Sequence, residues 1–147
     1  RGAPFASLDS PEASWPAGDG ATSDYHFRGY RFNAARQPAF LYSMGSFQVV
    51  DESLPGPRSN DGLASFTRQL TLTVKNADSP DSLWYRAGAG MAIDEADGVF
   101  VIDGHLRVNV SAGSARPVIR SSGDRKELLI PVSFKNGEAT IQQVYEW

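Results

Sequence analysis

The sequence contains no cysteine, which excludes disulfide bonds, thiolate nucleophiles, cysteine-ligated metals and covalent attachment of a c-type haem within this chain. It also lacks long apolar runs, and none approaches the roughly 20 residues that cross a bilayer as a helix. A basic cluster is missing too, because 14 lysines and arginines are outweighed by 17 acidic residues, for a net charge of −3. We therefore expect no membrane span and no nucleic-acid partner.

Helical periodicity is also absent, since no stretch repeats apolar residues every 3.6 positions between caps. From Tyr25 onward, short runs of aromatic and β-branched residues alternate with Gly, Pro, Asn and Asp, which is typical of β-strands and turns. The 147 residues fit a single domain of ordinary size. The sequence therefore predicts an all-β domain over residues 25–147, built as an antiparallel two-sheet β-sandwich, with a closed β-barrel as the alternative.

Residues 1–24 differ in composition from the rest, being rich in Pro, Gly, Ala, Ser and Asp without any periodicity. Such a composition predicts an irregular, extended N-terminal arm or linker. Phe5, Leu8 and Trp15 are the side chains that would anchor it to a surface. Because the chain opens on Arg1 rather than Met and carries no signal peptide, we expect a processed product or a piece of a longer protein.

The predicted strands occupy about residues 27–33, 38–44, 47–51, 65–75, 83–87, 99–103, 105–110, 117–121, 127–134 and 139–147. In the strand FTRQLTLTV the side chains expected to be buried are Phe66, Arg68, Leu70, Leu72 and Val74. Arg68 is the exception among them and is expected to snorkel or to form an ion pair.

Two dipeptides, Asp103-Gly104 and Asn136-Gly137, have the composition of type I′ hairpin turns. A two-residue turn at the first predicts one apolar face made by Val99, Val101, Leu106 and Val108. The opposite face would then carry Phe100, Ile102, His105 and Arg107. The second turn predicts a long hairpin that pairs Lys135 with Glu138, Val132 with Ile141 and Leu128 with Tyr145.

No catalytic constellation is recognisable. The two histidines, His26 and His105, sit in no triad motif, and no pair of carboxylates is singled out for glycoside hydrolysis. The run GAGMAIDEADG lacks the third glycine of a dinucleotide fingerprint. Its acidic residues Asp94, Glu95 and Asp97 offer oxygen ligands for calcium, but not with EF-hand spacing, so a solvated acidic loop is the simpler interpretation.

Aromatic residues suggest recognition instead. Trp84 and Tyr85, together with Tyr30, Tyr42, Tyr145 and Trp147, are candidates for a platform that stacks on sugar rings. The alternative is that they fill the core and the sheet edges. Because neighbouring residues on a strand point to opposite faces, only one of Trp84 and Tyr85 can belong to such a platform.

The stretch GYRFNAARQPAFLY predicts two strands joined by a loop at residues 33–37. That loop is first a hairpin connection and only second, through Arg36, a candidate contact for a partner. Strict alternation places Phe27 and Arg31 on one face and Tyr30 and Phe32 on the other. The candidate partner or sugar contacts are Trp15, Tyr30, Arg36, Trp84, Tyr85 and Trp147.

Five motifs follow one another in the order GYRFNAARQPAFLY, FTRQLTL, LWYRAGAG, VFVIDGHLRVNV and RKELLIPVSFKNGEATIQQVYEW. In this order, over about residues 15–147, they resemble a β-sandwich module of large exported planctomycete-type proteins, namely c-type cytochromes and pyrroloquinoline-quinone-type sugar dehydrogenases. Two departures concern the basic residues. Gln37-Pro38-Ala39 stands where the family has Arg-Pro-Thr, and Thr67-Arg68-Gln69 stands where two arginines precede the threonine.

The resemblance implies a non-catalytic structural or interaction module that packs on cytochrome or dehydrogenase parts of a periplasmic or secreted assembly. Such proteins hold haem through Cys-x-x-Cys-His segments, and this chain has none, so no cofactor is expected in it. The motifs describe strands and turns, and they are therefore more specific for a fold than for a chemistry. A carbohydrate-binding module and a hydrolase domain remain the alternative functions.

Overall fold

The computed structural model describes residues 3–16, 25–58, 62–74 and 80–147. Residues 1–2 and 17–24 of the predicted arm and residue 75 of a predicted strand lie outside these ranges. Within them the strands are β1 (Phe5–Ser7), β2 (Tyr25–Phe32), β3 (Pro38–Met44), β4 (Phe47–Pro55), β5 (Ser65–Val74), β6 (Leu83–Gly90), β7 (Ile93–Ala96), β8 (Val99–Ile102), β9 (Leu106–Ser111), β10 (Val118–Ser122), β11 (Arg125–Pro131) and β12 (Glu138–Glu146). The described residues contain no helix long and apolar enough to cross a membrane.

The strands form two antiparallel sheets. The small sheet has the order β1-β6-β11-β10, and the large sheet has the order β2-β3-β4-β5-β12-β9-β8-β7. Apolar side chains from one face of each sheet meet in a common core, and neither sheet closes into a barrel. The predicted two-sheet β-sandwich is therefore confirmed.

Two short strands were not predicted. β1 lies inside the predicted N-terminal arm and pairs with β6, with Phe5, Ala6 and Leu8 buried. β7 lies in the run predicted as an acidic loop and pairs with β8. Strands of three and four residues are too short to produce a recognisable alternation in sequence.

The acidic run thus forms an edge strand, and its prediction as a loop was wrong. Ile93 is buried, and the turn at Asp97-Gly98 has positive φ angles of 51° and 77° at its two residues. Asp94 and Glu95 are neighbours on this strand and so point to opposite faces of the sheet. No group of three His, Asp or Glu side chains in the described ranges is arranged to hold a metal ion.

The register predicted at the Asp103-Gly104 turn was wrong by one residue. Both turn residues have positive φ, and the His105 amide donates to the Ile102 carbonyl at 3.2 Å. Beyond the turn, however, Ile102 pairs with Leu106, and Phe100 pairs with Val108. Phe100 and Ile102 therefore face the core, whereas the prediction placed them on the opposite face.

The packing of Ile102 explains this register. A Cβ atom at Gly88 or at Gly90 would lie 2.6 Å from the Ile102 side chain, so the two glycines of β6 provide the space into which Ile102 packs. The Asp103 carboxylate also accepts hydrogen bonds from the amides of Met91 (2.7 Å) and Ala92 (3.0 Å). The bonds from Ala92 and Met91 hold the pKa of Asp103 below its ordinary value and fix the β6–β7 connection to the turn.

At the second predicted turn, Lys135 pairs with Glu138 as predicted, but the hairpin does not continue. β11 pairs with β6 and β10 in the small sheet, whereas β12 pairs with β5 and β9 in the large sheet. The predicted pairs Val132–Ile141 and Leu128–Tyr145 were therefore wrong. The turn is the point at which the chain crosses from one sheet to the other.

Candidate binding surface on the large sheet

The large sheet extends beyond the small one at its β2 edge. The core takes buried residues from β4, β5, β7, β8, β9 and β12 of the large sheet, but from β3 only the partly buried Tyr42 and Met44, and from β2 none. We call the part of the inner face carried by β2 and β3 the overhang. Its side chains continue the core face of the sheet, and no strand of the small sheet in the described ranges packs over them.

Aromatic side chains cover the overhang. Phe27 pairs with Tyr42 and Tyr30 pairs with Phe40 across the β2–β3 ladder, so all four lie on the inner face with Phe32. Phe27, Tyr30 and Phe32 are 57%, 61% and 63% exposed. The rings of Tyr30 and Phe32 meet edge to face at 5.8 Å, and those of Phe27 and Tyr42 lie 5.5 Å apart.

A β-bulge between Phe27 and Gly29 produces this arrangement. Strict alternation along the sequence placed Phe27 on the face opposite Tyr30 and Phe32, and that prediction was wrong. The bulge adds Arg28 to the strand, and Gly29 takes a φ of 120°, which a residue with a Cβ rarely adopts. As a result, all four aromatic side chains of β2, Tyr25, Phe27, Tyr30 and Phe32, share one face, and the last three are exposed.

A buried polar network borders the overhang. Arg68 donates to both carboxylate oxygens of Asp51, at 3.0 and 2.6 Å, and also to the Tyr85 hydroxyl at 3.0 Å. The Tyr85 hydroxyl donates to Gln143 Oε1 at 2.6 Å, and Gln143 Nε2 donates to the Ala87 carbonyl at 3.2 Å. The network thus links the two sheets through the core, and Arg68 pairs as predicted.

The pKa values of Arg68, Tyr25 and Tyr42 all lie above their ordinary values. Burial lowers the pKa of Arg68, but the hydrogen bond and charge of Asp51 outweigh it, so the pKa lies above its ordinary value. Burial raises the pKa of Tyr25 and Tyr42, and the Asp51 carboxylate raises both further. At neutral pH the Arg68 guanidinium therefore stays charged and both hydroxyls stay protonated.

No known protein family, curated protein or solved structure matches this chain. The resemblance to a module of exported cytochromes and dehydrogenases therefore stays a prediction.

A second charged cluster lies on the face of the small sheet that points away from the core. Glu127 accepts hydrogen bonds from Arg86 at 2.9 Å and from Arg120 at 2.8 and 2.6 Å. Arg120 also donates to the carbonyls of Pro11 and Ala13, and the Trp15 ring packs against both guanidinium groups, 4.7 Å from Arg86 and 5.9 Å from Arg120. The cluster fastens residues 11–15 to the sheet.

The predicted contact residues do not form one surface. Trp84 and Tyr85 point to opposite faces as predicted: Tyr85 is fully buried in the core, while Trp84 packs near Trp15 on the outer face of the small sheet. Tyr30 lies on the overhang. Trp147 is 55% exposed at the end of the chain, with its ring 6.4 Å from that of Phe66.

Arg36 lies in the β2–β3 connection, exposed and with a φ of 60°. The Asn33 carboxamide oxygen accepts bonds from the amides of Ala35 and Gln37, so the loop holds its own shape as a hairpin connection. Phe27 and Phe32 are exposed overhang residues that the candidate set omitted. The one feature of the sequence that could have indicated the β-bulge in β2 is Gly29, because a glycine inside a strand often marks a bulge.

Proposed function

We propose that this chain is a non-catalytic interaction module that binds a partner protein through the overhang. One observation carries the proposal: three large aromatic side chains, each more than half exposed, lie side by side on a sheet face that is continuous with the core. An apolar patch of this kind on a globular domain is typical of an interaction site. Aromatic residues are also enriched where partner proteins meet.

The proposed partner belongs to the class that the sequence motifs imply, an exported c-type cytochrome or dehydrogenase part of a periplasmic or secreted assembly. The absence of cysteine fits a module that carries no haem of its own, because any covalently attached haem would have to be bound by another part of that assembly. The polar network also supports a binding role, since the ion pair of Asp51 and Arg68 lies beside the aromatic patch.

Replacing Tyr30 and Phe32 together with serine tests this function. Both side chains are exposed, so we expect the free energy of unfolding to change by no more than about 0.5 kcal/mol per site. Affinity for a purified c-type cytochrome from the same exported assembly should fall at least tenfold, which corresponds to about 1.4 kcal/mol. Titration calorimetry with the wild-type and variant chains measures the difference.

Met91→Ser is the matched control, because Met91 is 62% exposed and lies outside the overhang, just before β7. It should leave the affinity unchanged. Equal affinities for the wild-type chain and the Tyr30/Phe32 variant would contradict binding through the overhang.

Carbohydrate binding is the second candidate function, and the exposed pair Tyr30 and Phe32 favours it. Aromatic rings provide apolar faces on which sugar rings stack. A glycan array probed with the wild-type chain and with the Tyr30/Phe32 double variant separates the two functions. Sugar binding that disappears in the double variant would replace the protein-partner proposal.

A further inference from the structure

β2 is an edge strand of the large sheet, and no strand in the described ranges pairs with its free side. It has eight residues, whereas the other edge strands, β1, β7 and β10, have three, four and five. An edge strand presents a row of unpaired backbone N–H and C=O groups that can pair with another chain. β2 is therefore the longest edge strand of the two sheets with which a strand of another chain can pair.

The two faces of β2 differ in chemistry. Phe27, Tyr30 and Phe32 lie on the inner face, whereas Arg31 pairs with Ala39 on the outer face. The guanidinium of Arg28 is also on the outer side, since its Nε donates to Ser43 Oγ at 2.8 Å. One face of the strand is aromatic and the other is cationic.

The charge of this region contrasts with that of the whole chain. Residues 25–44, which make up the β2–β3 hairpin, contain the arginines Arg28, Arg31 and Arg36 and no acidic residue, although the chain has a net charge of −3. Side chains directly opposite each other on neighbouring strands stabilise the pair when their charges are opposite and destabilise it when they are alike. The cationic face thus favours an acidic neighbour and disfavours a second copy of this chain, whose own arginines would meet it.

We propose that the free edge of β2 takes up an extended segment of the partner protein in which apolar side chains alternate with Asp or Glu. Its backbone pairs with the free side of β2, its apolar side chains pack on Phe27, Tyr30 and Phe32, and its carboxylates meet Arg28 and Arg31. Main-chain bonds contribute affinity in this binding mode, and the alternating side chains contribute specificity. This proposal rests on the proposed function and specifies the mode of binding and the chemistry of the partner segment.

An unbiased display library of ten-residue peptides, selected on the full chain, tests the proposed partner chemistry. Enriched peptides should alternate apolar and acidic residues. Replacing the acidic residues of the best peptide with lysine should weaken its binding at least tenfold, and so should N-methylation of alternate backbone amides on one edge of the peptide. No enrichment, enriched peptides without the alternation, or indifference to N-methylation would each overturn the proposal.

Variants of the chain locate the site. Arg28→Ala combined with Arg31→Ala should remove most of the preference for acidic over lysine peptides, while the combination of Arg116→Ala and Arg125→Ala, two exposed arginines outside the hairpin, should keep it. Hydrogen exchange should show slower exchange of alternate β2 amides when the best peptide is bound. Unchanged exchange in β2 would overturn strand addition.

The two proposals fail in different ways. If the Tyr30/Phe32 variant loses cytochrome binding but the bound cytochrome leaves β2 exchange unchanged, the interaction module stands and the strand addition falls. If a polysaccharide binds at the overhang and no peptide is enriched, both fall.

Discussion

Glu127→Ala is expected to lower the free energy of unfolding by about 3–5 kcal/mol, because it leaves the buried Arg120 guanidinium without its countercharge. Glu127 and Arg120 are both buried and share two hydrogen bonds, and Arg86 adds a third to the same carboxylate. Losing them also loosens residues 11–15, which Arg120 and Trp15 hold to the sheet. Urea denaturation followed by circular dichroism measures the change.

Glu146→Ala is the control for that measurement. Glu146 lies 3.6 Å from Arg107 in a far more exposed ion pair, and exposed pairs contribute at most about 1 kcal/mol. If Glu127→Ala lowers the free energy of unfolding by no more than Glu146→Ala does, the Glu127–Arg120 ion pair contributes no more to stability than an exposed ion pair.

The pH dependence of the same site follows from the pKa of Glu127. Burial raises that pKa, but the hydrogen bonds and charges of Arg120 and Arg86 outweigh it and hold the pKa below its ordinary value of 4.5. A carboxylate with a lowered pKa in the folded state stabilises the fold above its unfolded-state pKa and loses that contribution as the pH falls through the folded-state pKa. The stability difference between the wild type and Glu127→Gln should therefore be constant above about pH 5.5 and shrink below pH 4.5. A stability difference that grows as the pH falls would contradict the stabilisation of the ionised Glu127 carboxylate by Arg120 and Arg86.

Tyr85→Ala is expected to destabilise the chain by about 3–5 kcal/mol, the range for removing a buried aromatic ring from a core. The Tyr85 ring is fully buried and lies 5.0 Å from the ring of Phe5. Its hydroxyl accepts from Arg68 and donates to Gln143, so Tyr85→Phe isolates the polar part. That variant should cost about 1–3 kcal/mol, because Gln143 is left with an unpaired buried oxygen.

Thermal and urea unfolding of both Tyr85 variants checks these values. Tyr30→Phe is the matched control, since it removes a hydroxyl from an exposed ring and should change the stability by no more than about 0.5 kcal/mol. If Tyr85→Phe behaves like Tyr30→Phe, the Arg68–Tyr85–Gln143 network contributes nothing measurable to the joining of the two sheets.

The strands that could be predicted from sequence are those with several alternating residues. Residues 38–44 form β3 with the predicted bounds, and Leu70 and Leu72 are buried in β5 as predicted. Two of the predictions that failed depend on one-residue shifts. The register change after Asp103 and the bulge at Arg28 each move side chains to the other face of a strand, because the side-chain period of a strand is two.

The overhang illustrates the same limit. Tyr30 could be selected from the sequence as a candidate contact, but Phe27 shares its face only because of the bulge. The exposure of Phe27, Tyr30 and Phe32 depends on which strands the small sheet covers. Tyr85, selected for the same aromatic reason, is buried because its face of β6 points into the core. An aromatic residue in the sequence predicts that its side chain packs against other groups. The position of its strand and face in the two sheets decides whether it lies in the core, as Tyr85 does, or on the overhang, as Tyr30 does.

By itself, the sequence determined that this protein is an all-β domain without cysteine chemistry, and it favoured a two-sheet sandwich over a closed barrel. Alternation and turn residues are local properties, and local backbone preferences suffice to express them. Only the tertiary structure decided that β11 and β12 separate into different sheets after Asn136-Gly137, and that a large sheet projects beyond a small one to leave Phe27, Tyr30 and Phe32 uncovered. Which strands pair with each other depends on how whole sheet faces are buried across the fold. The residues on either side of a turn do not determine this pairing.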